Sequence, residues 1–438
     1  MLSAEQNELV TRTGPGTPAG ALLRRYWQPA VLTEELEGER PVVPVRLLGE
    51  DLVAFKDETG RYGLIGRQCP HRGVDLCYGR REDGGLRCPF HGWLFDVEGR
   101  CLEQPAEPID STFHRKIRHT AYPCETHNGI IFAYMGPGGP PPFPEYDCFA
   151  APDAFTFAFK GHIDCNWLQA LEVGIDPAHA SFLHRFFDDE DPTESYGKQF
   201  RDTSIGTDTP MTTILRNFTR PDITVEETSY GLRLTALRRL NDEHMHVRVT
   251  NLTFPQAIVI PLSTDMVLTQ WHVPIDDHQC YWYSIFSSFQ NKVDKAAMRE
   301  QRLELYTLPD YKPRLNRTNN WGFNPHEQRD ATYTGMGADI NVHDNWAVES
   351  PGAIFDRTRE QLGTTDKAIT ANRRMLIGAI NGIERGEEPP AVPANADAGR
   401  LRGPVAIDMI APAEDWDSCW KSRDLERRET SPWATNPW

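Results

Sequence analysis

Two short cysteine–histidine pairs constrain this chain more than any other feature. The first is Cys69-Pro70-His71; the second, after a gap of sixteen residues, is Cys88-Pro89-Phe90-His91. Turn formers frame both, in Gln68-Cys69-Pro70-His71-Arg72-Gly73 and Arg87-Cys88-Pro89-Phe90-His91-Gly92-Trp93. Proline and glycine bend such segments tightly, so each loop can aim one thiol and one imidazole at a shared centre. Backbone N–H groups in such turns can also face that centre and tune it.

The C-x-H…C-x2-H spacing is that of a Rieske [2Fe–2S] cluster. Two thiolates (Cys69, Cys88) hold one iron and two imidazoles (His71, His91) hold the other, which raises the reduction potential far above that of an all-cysteine cluster. A structural zinc site uses the same residue types. Zinc fingers, however, pair Cys with Cys and His with His along the chain, whereas here each loop gives one of each. Rieske proteins of the respiratory type add a disulfide cysteine to each loop, and the matching positions here are Val74 and Phe90. The chain therefore reads as an electron carrier that needs an acceptor.

With 438 residues there is room for two domains. A net charge of −17 repels phosphate backbones and argues against nucleic acid as a partner. No run of eighteen apolar residues and no signal-like segment at Met1 is seen, so the expectation is a cytoplasmic protein without a membrane span. Nine cysteines, an odd number without framework spacing, fit reduced thiols.

Composition changes along the chain place the expected boundaries. Residues 1–30 read as an N-terminal helical segment. Residues 31–145 hold short β patterns (42–48, 52–55, 63–66, 93–96 and 129–134) around both ligand loops, an all-β [2Fe–2S] domain. The Gly/Pro-rich stretch 136–144 reads as a stiff linker. Residues 146–438 form the second domain. There a helical stretch at 166–187 precedes strand-like runs at 211–215, 231–240, 246–252, 256–261, 266–274 and 280–287, with helical patterns at 294–308 and 357–385. The fold class expected is α+β, with a curved antiparallel sheet around helices in the second half. The tail after Pro389 is expected to lie over the surface.

The helical stretch contains Glu172-Val173-Gly174-Ile175-Asp176-Pro177-Ala178-His179, followed by His184. Aspartate before proline suits a helix restart, which places Asp176 and His179 on one face. His179 and His184 lie five apart, about 140° around an ideal helix. One metal can take both only if the helix bends or unwinds, which Gly174 and Pro177 permit. Two histidines with a carboxylate form the facial triad of non-haem Fe(II) oxygenases, which leaves positions open for O2 and substrate. Taken alone the pattern also describes two ordinary histidines on a partly buried helix. A one-electron cluster on the same chain makes a mononuclear iron a sensible acceptor.

On these residues the chain resembles the oxygenase component of Rieske non-haem iron oxygenases, and more narrowly the phthalate dioxygenase type. The resemblance spans most of the length. It takes in Arg25-Tyr26-Trp27, Gly49-Glu50-Asp51-Leu52-Val53-Ala54-Phe55, both ligand loops and Asp176-x2-His179-x4-His184. It continues through Glu349-Ser350-Pro351-Gly352 and Asp356-Arg357-Thr358-Arg359-Glu360-Gln361-Leu362-Gly363. It implies that the iron's carboxylate ligand is Asp344, five residues before Glu349; among 63 acids nothing else singles it out. Val348 stands where relatives usually carry glutamine, and Pro351 follows the Glu-Ser pair, changes that bear on the pocket floor.

The resemblance further implies a homotrimer, alone or stacked in pairs. In it His71 or His91 of one subunit would pass electrons through Asp176 to the His179 side of the neighbour's iron, with Glu172 as a possible second support for that histidine. An NAD(P)H-dependent reductase must be a separate partner, because no G-x-G-x-x-G follows a strand. The expected reaction is O2-dependent hydroxylation of an aromatic acid, phthalate-like ring dihydroxylation, with O-demethylation of a methoxylated aromatic acid as the alternative. A Rieske electron carrier with an appended domain is a third reading, which the long region after the linker disfavours. Carboxylate recognition calls for arginine. Arg216, Arg220 and Arg248 lie in or near the expected sheet, and Arg248, in an alternating run, is the substrate-binding candidate, although strand arginines commonly face solvent.

Overall fold

In the computed structural model the described residues are 1–188, 203–394 and 403–434. The chain divides into two compact units, one of Arg12–Pro141 with Val273–Asp277, the other of Met1–Thr11, Pro142–His272 and His278–Trp438.

The smaller unit is built from short antiparallel sheets. One runs in the order Val42–Leu47, Glu50–Lys56, Tyr62–Gly66, Ala121–Tyr122; another Arg80–Glu82, Gly85–Arg87, Leu94–Phe95, Cys101–Glu103; a third joins Gln28–Leu32 and Cys124–His127 to Ile130–Ala133. Its hairpins turn on two residues at positive φ: Leu48 (49°) with Gly49 (79°), Asp83 (53°) with Gly84 (79°), and Asn128 (44°) with Gly129 (88°). Two-residue loops of this kind match the twist of the flanking strands. Phe55, Ile65, Leu76, Leu86 and Phe95 pack a core that also holds Cys69 and Cys88.

The larger unit carries an antiparallel sheet in the order Thr156–Ile163, Cys280–Ser288, Met266–Pro274, Ala257–Pro261, His244–Thr253, Gly231–Arg239, Asp222–Thr228. Helices flank it, among them Trp167–Gly174, Lys295–Leu305, Ile340–Glu349 and Lys367–Glu384. This is the α+β architecture expected of the sequence.

Three local expectations fail. Residues 211–215 are not a strand: Met211–Asn217 is a helix that buries Met211, Ile214 and Leu215 at helical spacing, and Pro210 precedes it. The 166–187 stretch is not one continuous helix: of the two ways expected to bring His179 and His184 together, bending or unwinding, the chain unwinds. The helix stops at Gly174, where a Cβ would come 2.4 Å from Ile258 Cδ1, and the residues beyond fold into turns with a short 3₁₀ segment at His179–Ser181. The tail does not merely cover the surface. Ile407–Pro412 pairs with His244–Thr253, and Met409 and Trp420 are buried with Val247 and Val249.

Candidate metal centres and active-site cavity

The two Cys–His loops fold alike. In the first, Cys69 N–H donates to Val74 O at 2.8 Å and Gly73 N–H to Cys69 O at 2.8 Å; in the second, Cys88 N–H donates to Trp93 O at 2.8 Å and Gly92 N–H to Cys88 O at 3.0 Å. The glycine sits at φ 73° in one and 72° in the other, a conformation that glycine adopts without steric cost. Both thiols are buried at 2 % exposure, while His71 and His91 are half-buried with ring centroids 4.5 Å apart. Trp93 stacks on His71 at 4.4 Å and 8°. Burial, with the neighbouring Cys88, pushes the Cys69 thiol up to about 12. Two cysteines so buried ionise readily only beside a cation, and His91 Nδ1 is buried without a hydrogen-bond partner. This donor set fits an iron–sulfur cluster.

In the larger unit His179, His184 and Asp344 converge, their candidate ligand atoms all within 4.8 Å of one another. His184 Nε2 lies 3.3 Å and His179 Nε2 3.9 Å from Asp344 Oδ1, and that oxygen is buried outside hydrogen-bond geometry. Burial pushes the Asp344 carboxyl up, and the rings of His184, His179 and His343 more than reverse this, leaving it below its ordinary value. Burial, and then the charge of His184, lowers His179. Two convergent imidazoles, an ionised carboxylate and an unsatisfied buried oxygen fit a divalent metal such as iron.

Asp344 comes from the helix Ile340–Glu349, whose N-cap Asp339 accepts from Asn341 N and Val342 N. His179 lies in the turn after Gly174. Asp176 Oδ1 accepts from Ala178 N–H at 2.9 Å. His179 Nδ1–H donates to the backbone carbonyl of Asp176, whose carboxylate stands 4.0 Å from that nitrogen. Glu172 is directed elsewhere: Arg373 Nε lies 2.6 Å and Arg357 Nη2 3.0 Å from its carboxylate oxygens. Sequence reading missed Arg238, 1 % exposed, which donates to Pro177 O at 3.1 Å and Phe218 O at 2.9 Å and so ties the ligand-bearing turn to the sheet. Its signal was present: Leu232, Leu234 and Ala236 place Arg238 in the buried phase of its strand.

A cavity of about 150 Å³ opens on His179, His184 and Asp344. Ile258, Ile260, Leu268 and Phe286 give it apolar walls, and Arg248, Arg302, Gln270 and His272 give it polar points. Arg248 Nη1 donates to Asp408 at 2.8 Å and Nη2 to Pro261 O at 3.2 Å. Arg302, also missed, shares the buried face of Lys295–Leu305 with Met298 and donates to Asn341 Oδ1 at 2.8 Å. Arg216 donates to Phe186 O at 3.2 Å, and neither it nor Arg220 lines this cavity. On its other side the segment holding Asp176 and His179 borders an apolar groove of about 860 Å³, lined also by Phe182, Phe323, Tyr333 and Trp346.

Comparison with known proteins gives concordant results. Residues 26–114 match the Rieske [2Fe-2S] domain family, and residues 133–424 match the family described as LigXa C-terminal domain like. The phthalate 4,5-dioxygenase oxygenase subunit of Pseudomonas putida is 34% identical over 95% of this chain and 94% of its own length. The 5,5'-dehydrodivanillate O-demethylase oxygenase subunit of a Sphingobium species is 34% identical over 90% of this chain and 84% of its own. Among solved structures, NdmA of Pseudomonas putida CBB5 (a QL mutant with caffeine) shares the fold with a TM-score of 0.56 at 18% identity, covering 86% of this chain and 94% of that one. This chain belongs to the Rieske non-haem iron oxygenases, as an oxygenase subunit of the phthalate dioxygenase type.

Proposed function

We propose that this oxygenase subunit hydroxylates an acidic aromatic compound, with phthalate-like ring dihydroxylation as the reaction. One observation carries the reading: the cavity that receives His179, His184 and Asp344 is also lined by Arg248 and Arg302 among apolar walls. Apolar walls suit an aromatic ring, and guanidinium groups suit its carboxylates. Asp408 and the Pro261 carbonyl fix the plane of Arg248. Arg302 Nη2 stands 3.8 Å from Asp339 Oδ2, and Arg302 Nη1 donates to Asn341 Oδ1.

In this reading Cys69, His71, Cys88 and His91 hold the cluster, and residues 31–145 form the electron-carrying domain. Residues 146–438 form the catalytic domain, with His179, His184 and Asp344 holding the mononuclear iron. When bound, that iron supplies open coordination positions at which O2 can be activated. The protein keeps Nε2 of each histidine turned toward Asp344, holds substrate by its carboxylates, and excludes water behind Ile258, Ile260 and Phe286.

Asp176 and His179 border both the cavity and the outer groove, so they form the bridge for electrons entering from outside. A trimer in which a neighbour's His71 and His91 face that groove uses the bridge; Phe182, Phe323 and Tyr333, all more than 40 % exposed, give it an apolar seat. Sedimentation of the purified protein at the mass of one chain would remove this part. Rieske oxygenase subunits receive electrons from a separate reductase or ferredoxin, and we assign an NAD(P)H-dependent reductase here. Among the described residues no helix is long and apolar enough to cross a membrane, and the cytoplasm, where NAD(P)H is available, is the proposed site of action.

O-demethylation of a methoxylated aromatic acid is the second reading, because the demethylase relative is as similar, at 34%, as the dioxygenase relative. A single turnover of chemically reduced protein under 18O2 separates the two, with phthalate-like and methoxylated aromatic acids as substrates. A cis-diol with two labelled oxygens supports dihydroxylation; formaldehyde with one labelled oxygen supports demethylation. Cluster oxidation without product from any aromatic acid would reject the substrate class.

A further inference from the structure

His343 precedes Asp344 on the helix Ile340–Glu349 and is wholly buried. Its Nε2 lies 2.9 Å from the Gly337 carbonyl oxygen. A carbonyl only accepts, so His343 carries its proton on Nε2. Gly337 is itself held, its N–H donating to Glu327 Oε1 at 2.7 Å. The other ring nitrogen, His343 Nδ1, lies 3.3 Å from His184 Nδ1. One of these two must donate. His184 turns Nε2 toward Asp344, and a nitrogen that binds a metal must keep its lone pair, so the proton of His184 is on Nδ1 and His343 Nδ1 accepts it. The opposite assignment would put a proton on His184 Nε2, where a metal has to sit.

We propose that His343 is a positioning residue for the mononuclear site: it fixes the tautomer and ring orientation of His184 by accepting its Nδ1–H. His179 reaches the same arrangement by another route, with the Asp176 carbonyl as acceptor. The two rings therefore present Nε2 to one centre from two different supports, one a backbone carbonyl and one an imidazole. The near-parallel packing of His184 and His343, 5.6 Å between centroids at 22°, holds the contact in place. Groups that orient a ligating histidine through its second nitrogen commonly change metal affinity about 10–100-fold when removed. This inference rests on the reading of His184 as an iron ligand.

The test is Fe(II) binding rather than turnover. Protein that keeps its cluster but has lost mononuclear iron is titrated with Fe(II) by equilibrium dialysis, with nitric oxide as an EPR probe of the ferrous site. His343→Asn keeps an oxygen acceptor near the Nδ1 position, whereas His343→Leu has nearly the same shape and no acceptor. The expected result is Fe(II) affinity within about threefold of wild type for Asn and about 10–100-fold weaker for Leu, with an altered EPR line shape for Leu alone. Equal binding by wild type and His343→Leu overturns the proposal, as does an Asn variant as weak as Leu. If the Leu variant fails to keep its cluster and native circular dichroism, the Asn variant decides: tenfold weakening overturns it. His184→Ala separates the two readings. If it binds Fe(II) as wild type does, the iron site itself is misassigned, not merely its support.

Discussion

Arg373 reaches Glu172 with Nε 2.6 Å from Oε1 and Nη2 2.9 Å from Oε2, and all three groups of the pair with Arg357 are buried. The carboxylate of Glu172 thus ties the helix Trp167–Gly174 to the helix Lys367–Glu384 and to the Arg357 turn, rather than serving the iron. Removing one partner of such a cluster leaves buried charge uncompensated. Glu172→Ala is expected to lower the unfolding free energy by about 3–5 kcal/mol, read from urea midpoints, while the folded fraction keeps its iron. Loss of mononuclear iron without loss of stability would show that Glu172 supports the metal site instead.

A substitution at Asp176 tests the proposed electron route apart from the structure. The backbone carbonyl of Asp176 holds His179, and its side chain caps Ala178 N–H. An asparagine oxygen can cap in the same way. Asp176→Asn is therefore expected to retain both metals and to slow reoxidation of the reduced cluster in the presence of substrate and O2, followed by stopped-flow absorbance. Reoxidation at the wild-type rate would remove Asp176 from the route.

In the proposed reading Arg248 and Arg302 recognise the charge of the substrate. A hydrogen bond to a charged group contributes about 1.5–3 kcal/mol, so Arg302→Gln and Arg248→Gln are each expected to raise KM for a carboxylate substrate about ten- to a hundredfold. An uncharged methyl ester should be affected far less. Steady-state kinetics that treat acid and ester alike would take the arginines out of substrate recognition.

His272 makes stability depend on pH. Burial pushes it down to about 4, from an ordinary 6.5. Above 6.5 it is neutral in both folded and unfolded states. As pH falls toward 4 the unfolded chain takes up the proton and the fold does not, so stability is lost across that window, by about 3 kcal/mol for this group. His272→Leu should show a shallower decline between pH 7 and 4.5 in denaturant melts. An unchanged slope would mean that His272 titrates normally.

The cluster loops were legible in the sequence because four residue types at fixed spacing, with Gly73 and Gly92 closing the turns, leave few alternatives. The His179 and His184 pair was legible only as a possibility, since helical periodicity separates them by about 140°. What unites them is the chain leaving the helix after Gly174, where Ile258 packs too close for any Cβ, and that packing is a tertiary contact. Asp344 came from resemblance alone; spacing could not choose it. Residues 211–215 misread as a strand because Thr and Ile favour strands, while burial at helical spacing decided otherwise. Arg238 showed only as an arginine in the buried phase of its strand, and His343 did not show at all, because their importance lies in which carbonyl or imidazole they meet.

Iron content tests the central claim most directly. Purified wild-type protein should hold about three irons per chain, two in the cluster and one at His179, His184 and Asp344. His184→Ala should hold about two, with the visible cluster spectrum unchanged and no product formed. Two irons in both proteins, or product from the His184→Ala variant, would contradict a mononuclear iron site at these residues.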